Sequence, residues 1–159
     1  MKVAIVCVGR PRGALARAIE EYEVRIGRYF SLDVVEVKEA GGPSRTVDRR
    51  VAEEGERLLA RVPGQHELVA LHRPGKPWSS EELAQHLANA ALRSVPGVSF
   101  VIGGAFGLST AVLERAAFHV SLSAMTLPHE LARLVLTEQI YRAGTIQRGE
   151  PYHKAPLTR

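Results

Sequence analysis

Three short stretches of the chain carry residues that could do chemistry by holding a ligand: Leu71 to Trp78 (LHRPGKPW), Gly103 to Ser109 (GGAFGLS) and Leu122 to His129 (LSAMTLPH). Each follows an apolar, β-branched run, so each stands where a strand gives out. Small residues at such a place leave backbone N–H and C=O groups free to meet a ligand, and open α/β sheets bind ligands beyond the carboxyl ends of their strands. The third stretch says most. Val120 to Leu122 ends a strand, Ser123 to Pro128 turns the chain, and His129 and Glu130 open a helix with an acid in its first turn, favourable to the helix dipole. If the three strands are neighbours in one parallel sheet, the three stretches converge on one pocket.

The glycine-rich stretch is not a dinucleotide fingerprint. Its order is G-G-x-x-G, no acid ends a strand about 20 residues on, and the chain has no G-x-x-x-x-G-K-[ST] phosphate loop. Two readings stand for its glycines: they permit a tight turn, or they let a flat ligand approach the backbone closely. No Cys/His pair has metal-ligand spacing, so no metal is expected. The single cysteine, Cys7, lies in an apolar run and reads as a packed core thiol.

The elements that must position these stretches follow from periodicity. Lys2 to Gly9 (KVAIVCVG) is the near-continuous apolar run of a strand buried on both faces, which implies a parallel sheet. Pro11 to Tyr29 has helical spacing. Leu32 to Lys38 is a second strand, Glu39 to Arg50 an exposed basic loop, and about Val47 to Arg61 a helix ended by Pro63-Gly64. His66 to Leu71 is a third strand. Ser79 and Glu82 form the Ser-x-x-Glu capping box of a helix to about Ser94, because each side chain satisfies the other's exposed backbone N–H. Val98 to Ile102 and His119 to Leu122 are the fourth and fifth strands, with a short helix from Ser109 to Ala117 between them. This βαβαβαβαβα order, without repeat or linker, predicts one α/β domain spanning residues 1–159, with a parallel-rich sheet flanked by helices.

At 159 residues such a domain can bury its core without disulfides or metal. No stretch approaches the ~20 apolar residues of a membrane span, and the N-terminus lacks a signal peptide's charged start, so a cytoplasmic protein is expected. The net charge of +4 hints at an acidic partner, and 17 of the 21 basic residues are Arg, the better bidentate phosphate ligand. Arg enrichment also follows from genome composition.

LHRPGKPWSSEELA, VIGGAFGLS, SLSAMTLPHELARLVLTEQIYRA and the terminal PYHK together closely resemble the RlmH (YbeA-like) family, the smallest of the SPOUT methyltransferases. The resemblance covers nearly the whole chain. It implies a SPOUT-type fold with a C-terminal trefoil knot, a homodimer, and S-adenosylmethionine as methyl donor. The implied activity is methylation of N3 of a pseudouridine in the helix 69 loop of 23S rRNA, within the large ribosomal subunit. It places the donor on Leu71, His72, Gly103, Gly104, Leu122, Ser123, Ala124, Met125, Thr126 and Leu127. An adenine ring needs an apolar slot edged by backbone donors and acceptors, which leucines and loop peptides supply. A Cβ branch at Gly104 is expected to fill that space. His72 stands where family members often carry an acid, Met125 where Leu is usual, and Lys154 where Arg is common.

The substrate-side candidates under this resemblance are His153, Tyr152, His129 and Arg142, with Arg133, Lys154, Arg45 and Arg49 for RNA. A uracil-type N3–H must be removed for methylation, and a histidine is the usual base. His153 is the first choice and His129 the next. Tyr152 could stack on an unpaired base. Blander readings stand beside these: His129 bonding its own first helical turn, Arg142 pairing with Glu138 at i, i+4, and Arg45, Arg49 and Arg50 as solvated charge. Trp78 reads as packing, and His66, His86 and His119 as structural. The competing function classes are a non-catalytic ribosome-associated RNA-binding module, which would not bind the methyl donor, and a nucleotide-using α/β enzyme, which should show a phosphate signature.

Overall fold

The structure is a computed structural model that describes residues 1–43 and 45–153, the side chain of His153 excepted. Five strands, β1 (Lys2–Val8), β2 (Ser31–Val37), β3 (Glu67–Pro77), β4 (Gly97–Ile102) and β5 (Phe118–Ser121), form one sheet in the order β2-β1-β4-β3-β5. Every pairing is parallel. The apolar run of β1 is central, hydrogen-bonded to β2 on one side and β4 on the other.

Strand alternation divides the side chains between two cores. Val3, Ile5 and Cys7 of β1, with Val98, Phe100 and Ile102 of β4, face α1 (Gly13–Ile26), α3 (Ser80–Leu92) and α5 (His129–Gln147). Val6 and Val8, with Val101 and Ala70, face α2 (Val47–Leu59) and α4 (Thr110–Arg115). Cys7 is buried as expected, and burial pushes its thiol up to about 11 against the lowering effect of Arg133.

The helix starts follow their caps. Ser79 Oγ accepts from Glu82 N at 3.1 Å while Ser79 N donates to Glu82 Oε2 at 2.7 Å, completing the capping box. Thr46 caps α2 and the buried Ser109 caps α4. Gly55 lets α2 approach that cap, because a Cβ there would lie 2.0 Å from Ser109 Oγ. Trp78 packs on His86 and Phe118, His86 lies 2.9 Å from Glu67, and His66 bonds Ser99.

One expected loop is a strand. Beyond Leu71, β3 continues to Pro77 through a register shift, with Lys76 opposite Val120 and Pro77 opposite Ser121. The two prolines are tolerated because β4 stops pairing at Leu71, so Pro74 and Pro77 stand where β3 has lost that neighbour and needs fewer N–H donors. Gly75 makes the close approach possible: a Cβ there would lie 2.7 Å from the backbone of His119 and Val120.

Candidate active site

Because β4 and β5 both flank β3, the ends of all three strands meet, and the start of α5 closes over them. Between them lies a cleft of about 460 Å³, within the ~300–1,000 Å³ range of small-ligand sites. Leu71, His72, Gly103, Gly104, Leu122, Ser123, Met125, Thr126 and Leu127 line it; Ala124, expected with them, is not part of the lining. Arg73, Phe106 and Leu108, inside the first two stretches but not singled out for the donor, join the wall, as do Ile102 and Ala132 from outside the three stretches. Ala132 lies one turn after His129, so a helix starting at the cleft carries it there. Phe106, within the glycine-rich stretch expected at the pocket, is half exposed.

The Ser123 to Leu127 segment is braced from within. Ser123 Oγ accepts from Met125 N at 2.9 Å, and Ser121 Oγ donates to Ser123 O at 2.9 Å. These bonds fix a polar loop that short sequence runs leave undetermined. Pro128, the N-cap of α5, offers no side-chain cap, so the first N–H groups of that helix have no side-chain partner from this position.

The two glycines that open the second stretch do different things. A Cβ on Gly103 would lie 2.5 Å from Gly107 O, so Gly103 permits the turn to close on itself. Gly104 and Gly107 form a bridge, and Gly107 has φ +85°, a left-handed value suited to glycine. A Cβ on Gly104, however, would point at Glu54 Oε2, 2.8 Å away, and at Val8 Cγ1. The expectation that it would fill the donor's slot is therefore corrected: the space beside Gly104 belongs to a buried carboxylate on α2. Glu54 is 5 % exposed, accepts from Ala40 N at 3.0 Å through Oε1, and has no hydrogen-bond partner for Oε2 among the described residues.

On the substrate side His129 lines the cleft, with Nε2 3.9 Å from Glu39 Oε1. Arg142 pairs with Glu138 Oε1 at 2.7 Å, as the i, i+4 reading anticipates. Tyr152, in the 3-10 turn Pro151–His153, donates to the same carboxylate oxygen at 3.1 Å, stacks edge-on to Tyr141 and lies under the Arg142 guanidinium at 5.0 Å. Burial, the Tyr22 hydroxyl and Glu138 all push its hydroxyl upward, so it stays protonated. Its partners Glu138 to Arg142 come nine to thirteen residues after His129 on α5, about 14 to 20 Å further along at ~1.5 Å per residue. Tyr152 and His129 are therefore not brought together within one chain. The side chain of His153 and all of Lys154 lie outside the described residues.

Arg133 is a correction. Expected on RNA, it is 5 % exposed and binds Glu23 Oε1 of α1 at 2.8 Å and Glu36 Oε1 of β2 at 2.7 Å. Burial pushes Glu36 up, but its bonds from Arg133 and Arg10 outweigh this and hold it below the usual carboxylate range. The signal lay in the helix period: Arg133, Leu136, Ile140 and Ala143 form one buried stripe of α5. Arg45 is held by Glu53, whereas Arg49 is exposed.

Among the described residues no three His, Cys, Asp or Glu side chains gather to hold a metal ion, and no helix is long and apolar enough to cross a membrane. An all-parallel sheet whose strand ends frame a cleft of small-ligand size is the arrangement of an α/β domain suited to holding a ligand. Comparison with known proteins narrows the class. The family model described as predicted SPOUT methyltransferase matches residues 1–153. Proteins named ribosomal RNA large subunit methyltransferase H share this chain's sequence nearly end to end. That of Gemmatimonas aurantiaca is 50 % identical over 97 % of this chain and 100 % of its own length, and that of an Anaeromyxobacter species 48 % over the same shares. A structure described as a methyltransferase of Legionella pneumophila with bound cofactor SAM superposes with a TM-score of 0.51 at 13 % identity, covering 91 % of this chain and 67 % of that one, a likeness of fold. The chain belongs to the SPOUT methyltransferase family.

Proposed function

We propose that the protein transfers the methyl group of S-adenosylmethionine to N3 of a pseudouridine in the helix 69 loop of 23S rRNA, acting as a cytoplasmic homodimer on the large ribosomal subunit. The observation that carries this is the cleft itself. Nine of the ten residues expected to hold the donor line it, and they come from three separate strand ends. The fit is physical as well as positional. Leu71, Leu122 and Leu127 offer apolar surface for an adenine, and the uncapped first turn of α5 suits the donor's carboxylate. When bound, the donor supplies an electrophilic methyl group, and the chain's own task is to orient it, hold the base and remove the N3 proton.

His129 is the base candidate within the cleft, and His153 the candidate carried by the tail. Tyr152 docks on Glu138, Tyr141 and Arg142, well along α5 from the His129 end that lines the cleft. This favours a second copy, whose cleft the tail would cover, and the half-buried Leu131, Leu134 and Val135 of α5 leave apolar surface for such a contact. The trefoil knot implied by the family resemblance belongs to the same reading. Liquid chromatography and mass spectrometry of 23S rRNA from cells lacking the gene tests it. Loss of one methyl from a helix 69 fragment is expected, restored by the intact gene; an unchanged fragment would overturn the assignment.

A further inference from the structure

His72 is on the cleft wall at the irregularity of β3, and His119 stands beside it on β5. Their rings meet edge to face with centroids 5.0 Å apart, and His72 Nε2 lies 3.2 Å from His119 Nδ1. The second nitrogen of His119, Nε2, lies 2.9 Å from the carbonyl oxygen of Leu113 at the end of α4. A carbonyl only accepts, so Nε2 of His119 carries a hydrogen. In neutral His119 the facing Nδ1 is then a bare lone pair, and His72 must donate to it from Nε2–H. That leaves Nδ1 of His72 without a proton. A peptide carbonyl on one element thus sets the tautomer of a cleft residue on another, with His119 as the relay.

We infer that Nδ1 of His72 accepts a hydrogen bond from a hydroxyl or amino group of the methyl donor's nucleoside, and that His119 is the positioning residue that keeps this acceptor bare. The inference rests on the cleft holding S-adenosylmethionine. It gives His119, on sequence grounds a structural residue, a part in the cofactor site.

An imidazole accepts only while neutral, which makes donor affinity depend on pH. The groups facing His72 are few. β5 presents His119, α5 presents His129 from elsewhere on the cleft wall, Arg73 follows on the same strand, and the turn from Gly103 to Gly107 has no titratable side chain. Burial and then the charge of His119 both push His72 below its ordinary value, so His72 itself stays neutral at neutral pH. The acceptor is lost on acidification when either ring takes a proton, because a protonated His119 donates from Nδ1 and shifts the hydrogen of His72 to its own Nδ1.

Two measurements test this. Nitrogen-15 NMR of the ligand-free protein at pH 7.5 should show His72 with Nε2 protonated and Nδ1 bare, and His119→Ala should populate the other tautomer of His72. Calorimetry should show affinity for S-adenosylmethionine and for S-adenosylhomocysteine falling about three- to tenfold between pH 7.5 and 5.5, the worth of one hydrogen bond. The product, which lacks the sulfonium charge, is the control: a fall for the sulfonium alone would mean charge repulsion and overturn the acceptor role. The fall should persist in His129→Asn and vanish in His72→Asp, whose carboxylate accepts throughout that range. A protonated Nδ1 in the NMR spectrum, a flat profile in the unaltered protein, or an undiminished fall in His72→Asp would each overturn the inference. Absence of binding at every pH would remove the donor-binding reading and the acceptor role together, while the NMR result still decides the tautomer relay on its own.

Discussion

Replacing Arg133 by Leu tests whether this cation holds the fold or meets RNA. Its side chain is 6 % exposed, and it ties α5 to α1 through Glu23 and to β2 through Glu36, whose own side chains are 20 % and 24 % exposed. Breaking a buried ion pair from one side costs about 3–5 kcal/mol, because the remaining charge is left without compensation. Glu23 loses its charge partner while Glu36 keeps Arg10, and each carboxylate keeps some water, so the lower end, about 3 kcal/mol, is expected. The assay is urea denaturation of both proteins at one protomer concentration, since dimerisation would add to apparent stability. The sign with pH is fixed by Glu36. Its folded value is depressed, so its contribution is present above the unfolded value and lost as pH falls through the folded one; the gap between the two proteins should narrow below about pH 4.5. Arg133→Leu combined with Glu23→Gln and Glu36→Gln should recover most of the loss. A cost under ~1 kcal/mol at pH 7 would refute the reasoning, and unchanged stability with weakened ribosome binding would return Arg133 to the RNA.

Other perturbations have distinct signatures. Gly75→Ala forces a Cβ against the backbone of β5 and should cost about 1–3 kcal/mol in denaturation while weakening donor binding, because β3 and β5 frame the cleft; a neutral result would mean the two strands can part freely. Gly104→Ala should be destabilising through Glu54, and a double-mutant cycle with Glu54→Asp should show coupling. Strict additivity would separate the two residues. Deleting residues from Tyr152 onward should leave S-adenosylmethionine affinity within a few-fold and lower single-turnover transfer at least ~100-fold, the lower end of a positioned base's contribution. A truncated protein transferring at near the full rate would leave His129 as the base.

The sequence made the local chemistry legible and left the long-range chemistry dark. The burial of β1, the capping box at Ser79 and the turn before α5 each depend on neighbours within a few residues, and each is found where periodicity and caps put it. The extension of β3 was hidden because R-P-G-K-P reads as a loop unless one knows that β4 has already ended there. The partners of Arg133 are 97 and 110 residues away, and those of Gly104 and His72 are 50 and 47 away, so no window shows them. Strand order decided the site: the three stretches converge because β3 stands between β4 and β5, a pairing that no single segment encodes.

The central claim is that this cleft delivers a methyl group to large-subunit RNA. The direct measurement is single-turnover transfer of labelled methyl from S-adenosylmethionine to ribosomes isolated from cells that lack the protein. The account predicts close to one methyl per large subunit, confined to the helix 69 fragment of 23S rRNA and blocked by S-adenosylhomocysteine. Ribosomes that stay unlabelled while the protein binds the donor, or label spread over other fragments, would contradict it.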